Sequence, residues 1–171
     1  MERGHSGRHR NPQCPRGSPR TSILRTRMRT ITMIIIHCSA TREGTRYPFA
    51  ECRRDHIANR RFKDIGYHYY IDREGVIWPG RPEQQVGAHC RNHNKHSIGV
   101  CYEGGLDRQG RSKDTRTQAQ KAAMKCLIEY LREQYPKALV LGHHDLNPAK
   151  ECPSFDVSSE LELCGMWSVK C

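Results

Sequence analysis

Apolar positions fall in short blocks separated by polar and glycine-rich stretches, and the spacing inside each block predicts its conformation. Residues 30–36 are β-rich and apolar up to His37, which reads as a buried strand. Residues 49–62 set Phe49, Cys52, His56, Ile57 and Phe62 toward one side, the spacing of an amphipathic helix, and Pro48 suits its first turn. Gly66 leads into a strand at 67–72. Asp72-Arg73-Glu74-Gly75 is a turn, and 76–78 returns as the second strand of a hairpin. Residues 97–102 form another strand, closed by Gly104-Gly105. Thr117 followed by Gln120 predicts a capping box. The helix it opens carries a stripe of Ala119, Ala122, Ala123, Cys126, Leu127, Tyr130 and Leu131 and stops near Tyr135-Pro136. Residues 138–142 are a short strand running into His143-His144, and 155–163 end the pattern as a short helix. Strands and helices intermix, so the expected class is α/β: one domain with a central mixed β-sheet flanked by helices.

Composition narrows this picture. A chain of 171 residues is one domain of ordinary size. Its longest apolar runs, 33–36 and 138–141, are four residues each, against the ~20 of a membrane span, so membrane insertion is excluded. The formal charge is +11, but residues 1–32 hold eight Arg and one Glu and account for +7 of it. The remainder is only mildly basic. Nucleic acid is therefore not an expected partner, whereas an anionic polymer such as cell wall is compatible. The expected organisation is a disordered basic extension at 1–29, a domain at 30–163 and a short tail at 164–171. No apolar stretch of secretory type follows the early positive charges, so no signal peptide is read and synthesis in the cytoplasm is expected. The nine cysteines are odd in number and form no CxxC pair. Cys101 and Cys126 sit in apolar contexts, as reduced core thiols do, which suggests a reducing compartment.

Two apolar strands run into histidine, at His37 and at His143, and strand ends on one edge of a sheet converge on ligand sites. Cys152 follows through a loop punctuated by Pro148 and closed by Pro153. Two His and one Cys make a three-ligand Zn²⁺ site whose fourth position is open to water, the pattern of a catalytic rather than a structural zinc. Taken singly, each His is more often an ordinary loop residue. Glu103, ahead of Gly104, resembles a general base by position only and receives no role.

Six ordered blocks then carry a resemblance: His37-Cys38-Ser39-Ala40-Thr41, Asp64-Ile65-Gly66-Tyr67-His68, Val86-Gly87-Ala88-His89, Asn94-Lys95-His96-Ser97-Ile98-Gly99-Val100, His143-His144-Asp145, and Lys150-Glu151-Cys152-Pro153-Ser154-Phe155-Asp156. Over residues 33–163 the chain resembles the zinc N-acetylmuramoyl-L-alanine amidases, the type-2 family that includes peptidoglycan recognition proteins. The likeness is nearest to the phage lysozymes that act as amidases. The resemblance implies a zinc cleft at the strand ends with His37, His143 and Cys152 as ligands. It implies Tyr67 and Lys150 as catalytic residues, and His68 and His89 as cleft histidines that bind substrate. It places the ligand first in the His143-His144 pair, in line with strand alternation, which sets Leu141 and His143 on one face. The loop from His143 to Cys152 is one residue longer than in the nearest relatives, which leaves its path open. The implied activity is hydrolysis of the amide between N-acetylmuramic acid and L-alanine, with peptidoglycan or muropeptides as partners and a monomer as the expected state. It would act on wall after release through a pore, or on muropeptides in the cytosol. The alternatives are a non-catalytic peptidoglycan-binding module, which in this family goes with loss of the cysteine ligand, and an interaction protein that inhibits a phage RNA polymerase.

Overall fold

The computed structural model describes residues 29–163. Residues 1–28 of the expected extension and the tail 164–171 lie outside the described residues. Arg29, the last residue assigned to the extension, packs on the domain. Its guanidinium donates to the carbonyls of Glu83 (2.7 Å) and Asn94 (3.0 Å).

Strand β1 (Met33–Cys38) is central, with β5 (Ser97–Tyr102) on one side and β7 (Leu139–Gly142) on the other, both parallel to it. Strand β3 (Tyr69–Ile71) adds in parallel to β5, and β4 (Ile77–Pro79) closes the edge antiparallel to β3. The sheet order is β4-β3-β5-β1-β7, mixed as expected. A second, two-stranded sheet pairs β2 (Thr41–Arg42) with β6 (Gly105–Leu106); the sequence pattern gave no sign of it. Ile34, Ile35 and Ile36 are fully buried, because β1 is covered on both faces.

Helix α2 (Gln118–Gln134) and helix α4 (Val157–Leu163) belong to the core on one face of the sheet, where Met124, Leu127, Ile128, Leu131, Val157 and Leu161 meet Ile34, Ile36, Val100 and Tyr102. Helix α1 (Phe49–Ala58) belongs to the other, smaller core of Cys52, Ile65, Tyr70 and Cys101. The capping box forms: Thr117 Oγ1 accepts from Gln120 N–H (3.1 Å) and Gln120 Oε1 accepts from Thr117 N–H (3.0 Å). The buried face of α2 is rotated from the expected stripe. Met124 and Ile128 are buried while Ala122 is exposed. Gln120 fixes that rotation, since its buried amide donates to the carbonyls of Ile71 (3.2 Å) and Glu103 (2.9 Å). Cys126 is disulfide-bonded on the half-buried flank of α2, against the expectation of a reduced core thiol. Cys101 is free and fully buried, as expected. Helix α1 stops at Ala58, four residues short of the expected end, and Ile57 is exposed. Among the described residues no helix is long and apolar enough to cross a membrane.

The strand ending in Gly142 is followed at once by a one-turn helix, α3 (His143–Leu146). His143 is therefore aimed by a helix start rather than by strand alternation. Asp145 Oδ2 accepts from Gly142 N–H (2.7 Å) and holds this corner.

Candidate metal centre

Ile36 of β1 pairs with Gly142 of β7, so the next residue on each strand emerges at the carboxyl edge of the sheet. Those residues are His37 and His143, and their ring centroids lie 4.7 Å apart. Cys152 reaches the same point from the loop after α3. Its Sγ accepts from Cys38 N–H (3.2 Å) and lies 3.8 Å from His37 Nδ1. The potential ligand atoms of His37, His143 and Cys152 all fall within 4.8 Å of one another. A tetrahedral Zn²⁺ with its usual Zn–S and Zn–N bonds needs donor separations of about 3.5 Å. The donor set fits that ion: two imidazoles and one thiol, with no fourth side chain in the cluster among the described residues.

The electrostatics keep the donors uncharged. Burial, then His89 and His143, holds His37 well below the usual histidine range. Burial, then Lys150 and His144, lowers His143. The neighbouring Cys38 thiol and burial together push the Cys152 thiol up. A cation is what would draw the proton off such a thiol.

His89 stands directly behind His37, with Nδ1 3.0 Å from His37 Nε2 and Nε2 3.4 Å from Ser97 Oγ. Its ring occupies space left by two glycines: a Cβ on Gly99 would stand 2.6 Å from ring atoms, and one on Gly87 2.5 Å. His68 is only 1% exposed. Its Nδ1 accepts from Gly99 N–H (2.9 Å), so its Nε2 carries the proton and donates to Gln85 O (3.0 Å). Burial lowers His68 to about 4. Both ring nitrogens of His68 are thus engaged inside the protein, on β5 and on the loop that carries His89.

The Tyr67 ring lies 5.3 Å from that of His37, and burial raises its phenol well above the usual range, so the hydroxyl stays protonated. His144 turns aside to Asp145 (3.2 Å). The longer loop closes a turn, Lys150 N–H to Asn147 O (2.9 Å), and Lys150 remains beside His143 at the wall of an open cleft of about 650 Å³. That cleft is lined also by Arg60, Phe62, His89 and Arg91, and among the described residues by no carboxylate. Glu103 belongs elsewhere: it is fully buried, accepts from Tyr47 N–H (2.7 Å) and faces Arg46 and Arg73 at 3.6 Å each.

Sequence reasoning missed Arg29, Ser97 and the cleft arginines Arg60 and Arg91. Ser97 and the two glycines lay inside quoted motifs, but nothing local marks a glycine as the seat of a ring that arrives from another loop. Arg60 and Arg91 carry no pattern beyond their charge.

The sequence profile described as N-acetylmuramoyl-L-alanine amidase matches residues 27–155. The chain is 37% identical over 132 residues to an endolysin of Enterobacteria phage K11, covering 77% of this chain and 86% of that one. It is 39% identical over 124 residues to an endolysin of Escherichia phage T7, covering 72% and 81%. Among solved structures it is similar to the endolysin N-acetylmuramoyl-L-alanine amidase LysCS from Clostridium intestinale, with a TM-score of 0.66 and 26% identity over 80% of this chain and 84% of that one.

Proposed function

The chain belongs to the N-acetylmuramoyl-L-alanine amidase family, and from that premise we propose that it is a peptidoglycan hydrolase using Zn²⁺. It cleaves the amide between N-acetylmuramic acid and the L-alanine that begins the stem peptide. The observation that carries the reading is the convergence of His37, His143 and Cys152 beside a basic cleft. The complete ligand set favours catalysis over mere binding.

His37, His143 and Cys152 hold the metal, and the Cys38 N–H supports the Cys152 sulfur as a thiolate. When bound, Zn²⁺ supplies Lewis acidity and makes water a competent nucleophile near neutral pH. Lys150, exposed on the cleft wall near His143, offers its ammonium to the negative charge that develops on the scissile carbonyl oxygen. The departing alanine nitrogen needs a proton. Tyr67 and Lys150 are the protonated side chains placed to donate or relay it, since no carboxylate lines the cleft among the described residues. Arg60, Arg91 and Lys150 favour a substrate that carries carboxylates, as stem peptides do.

Mass spectrometry of a digest of purified peptidoglycan tests this. Free stem peptides with N-terminal alanine and intact glycan strands are expected. New reducing ends on the glycan, or unchanged wall with zinc-loaded protein, would overturn the reading.

A further inference from the structure

The His37 and His89 rings and the Ser97 hydroxyl behind them form a chain whose proton positions are determined from one end. Ser97 has one hydroxyl hydrogen and is fully buried. Its Oγ lies 2.8 Å from His93 O, which can only accept, so the hydrogen goes there. Toward His89 Nε2, at 3.4 Å, Ser97 Oγ is then an acceptor, and His89 must carry its proton on Nε2. His89 Nδ1 is left as a bare lone pair, 3.0 Å from His37 Nε2, and accepts a hydrogen from it. His37 Nδ1 is thereby left unprotonated, and Nδ1 is the atom that faces Cys152 Sγ at 3.8 Å.

We infer that Ser97 and His89 are positioning residues that fix His37 in the Nε2–H tautomer, so that its Nδ1 lone pair is presented to a metal ion before the ion arrives. This rests on the reading of His37, His143 and Cys152 as metal ligands. A ligating imidazole usually donates its second N–H to a carboxylate, a carbonyl or water. Here a second imidazole takes that part, and it needs its own tautomer fixed by Ser97. The seat of His89 is built for the purpose. Gly87 and Gly99 leave out the Cβ atoms that would strike its ring, and the Asn94 side chain accepts from the backbone N–H of His89 (2.9 Å) and of Cys90 (2.9 Å). The His143 ring has no hydrogen-bond partner among the described residues, so the preset acts on one ligand of the two.

The test is long-range ¹H–¹⁵N correlation of the histidine rings in metal-free full-length protein, paired with Zn²⁺ affinity by competition with a chromophoric chelator. Wild type should show both His37 and His89 protonated at Nε2. Ser97→Ala removes the acceptor and should mix the tautomers of His89 and His37, weakening Zn²⁺ binding by roughly tenfold or more, the usual cost of a lost outer-shell partner. His89→Gln keeps a carbonyl that can accept from His37 and should retain more affinity than His89→Ala. A wild-type His37 protonated at Nδ1 would overturn the inference whether or not any variant folds. So would Ser97→Ala with unchanged tautomers and affinity. If wild type shows the expected tautomers yet takes up no Zn²⁺, the metal reading fails while the proton chain is upheld.

Discussion

Replacing Arg29 by alanine should lower the melting temperature by about 10 °C. The guanidinium makes five hydrogen bonds to four backbone carbonyls: Glu83 O from Nε (2.9 Å) and Nη2 (2.7 Å), Asn94 O (3.0 Å), Lys95 O (3.2 Å) and Ser97 O (3.3 Å). A bond to a charged donor contributes roughly 1.5–3 kcal/mol. The full sum overstates the effect, because Arg29 is only half-buried and water replaces the guanidinium at the exposed Lys95 carbonyl. Counting one bond to each of the partly buried Glu83 and Asn94 carbonyls, at the low end of that range, leaves about 3–4 kcal/mol. A domain of this size loses about 2–4 °C per kcal/mol. Calorimetry of wild type, Arg29→Ala and the exposed control Arg108→Ala measures it, the control staying within roughly 0.5 kcal/mol. The same logic divides two truncations: a chain begun at Arg29 keeps the clamp and one begun at Thr30 loses it. Melting of Arg29→Ala within 2 °C of wild type would refute the reasoning and show the clamp to be incidental.

Four further outcomes are expected. Cys152→Ser should lose most of its zinc by elemental analysis, since a hydroxyl is a far poorer anionic ligand than a thiol, and full retention would remove Cys152 from the ligand set. Lys150→Ala should keep its zinc and lose about 10²–10³ in kcat with KM little changed, the usual loss for one oxyanion donor. Tyr67→Phe should keep the ring against His37 and lose rate, and near-wild-type turnover in both variants would take both residues out of the mechanism. Metal-free protein should lose stability as pH falls. The folded pKa of His68 is about 4 against about 6.5 unfolded, so its contribution is present above pH 6.5 and is lost between there and pH 4. Urea midpoints that do not move between pH 7 and pH 4.5 would contradict this.

What could be read from the sequence depended on whether the signal was local. The run Ile34-Ile35-Ile36 before His37 announces a buried strand, and the structure makes it the centre of the sheet. Thr117 and Gln120 announce a helix start through the chemistry of a single turn of chain. The buried face of α2 was misread because apolarity alone cannot say that Gln120 goes inside to meet two carbonyls from other elements. The convergence of His37, His143 and Cys152 was legible as far as strand ends converge, and the one-turn helix that aims His143 was not. His68 and His89 look alike in sequence, each in a motif with a nearby glycine. Which of them points at His37 is decided by Gly99 and Ser97, on a strand that neither histidine belongs to. The Arg29 clamp rests on contacts 54 to 68 residues away, beyond any pattern a single sequence displays.

The composition of the shell behind the centre also sets the charge in front of it. On the proposed reading, a dication held by two neutral imidazoles and one thiolate would keep a net charge of +1. Many zinc sites offset that excess with a carboxylate behind a histidine ligand. Here that place is taken by His89, which burial holds neutral, and no carboxylate lines the cleft among the described residues. Arg60, Arg91 and Lys150 then add to the excess instead of cancelling it. Arg60 has a carboxylate only at 3.9 Å, from Asp55, and Arg91 and Lys150 have none among the described residues. Positive potential confined to a cleft with low-dielectric walls is focused toward its mouth. On the proposed reading, the same neutral imidazole that directs the His37 lone pair would leave the cleft attractive to carboxylate-bearing substrate. A glutamate in the place of His89 would hold the His37 tautomer as well, but it would cancel the excess charge that draws such a substrate in and that favours the anionic transition state over the neutral amide.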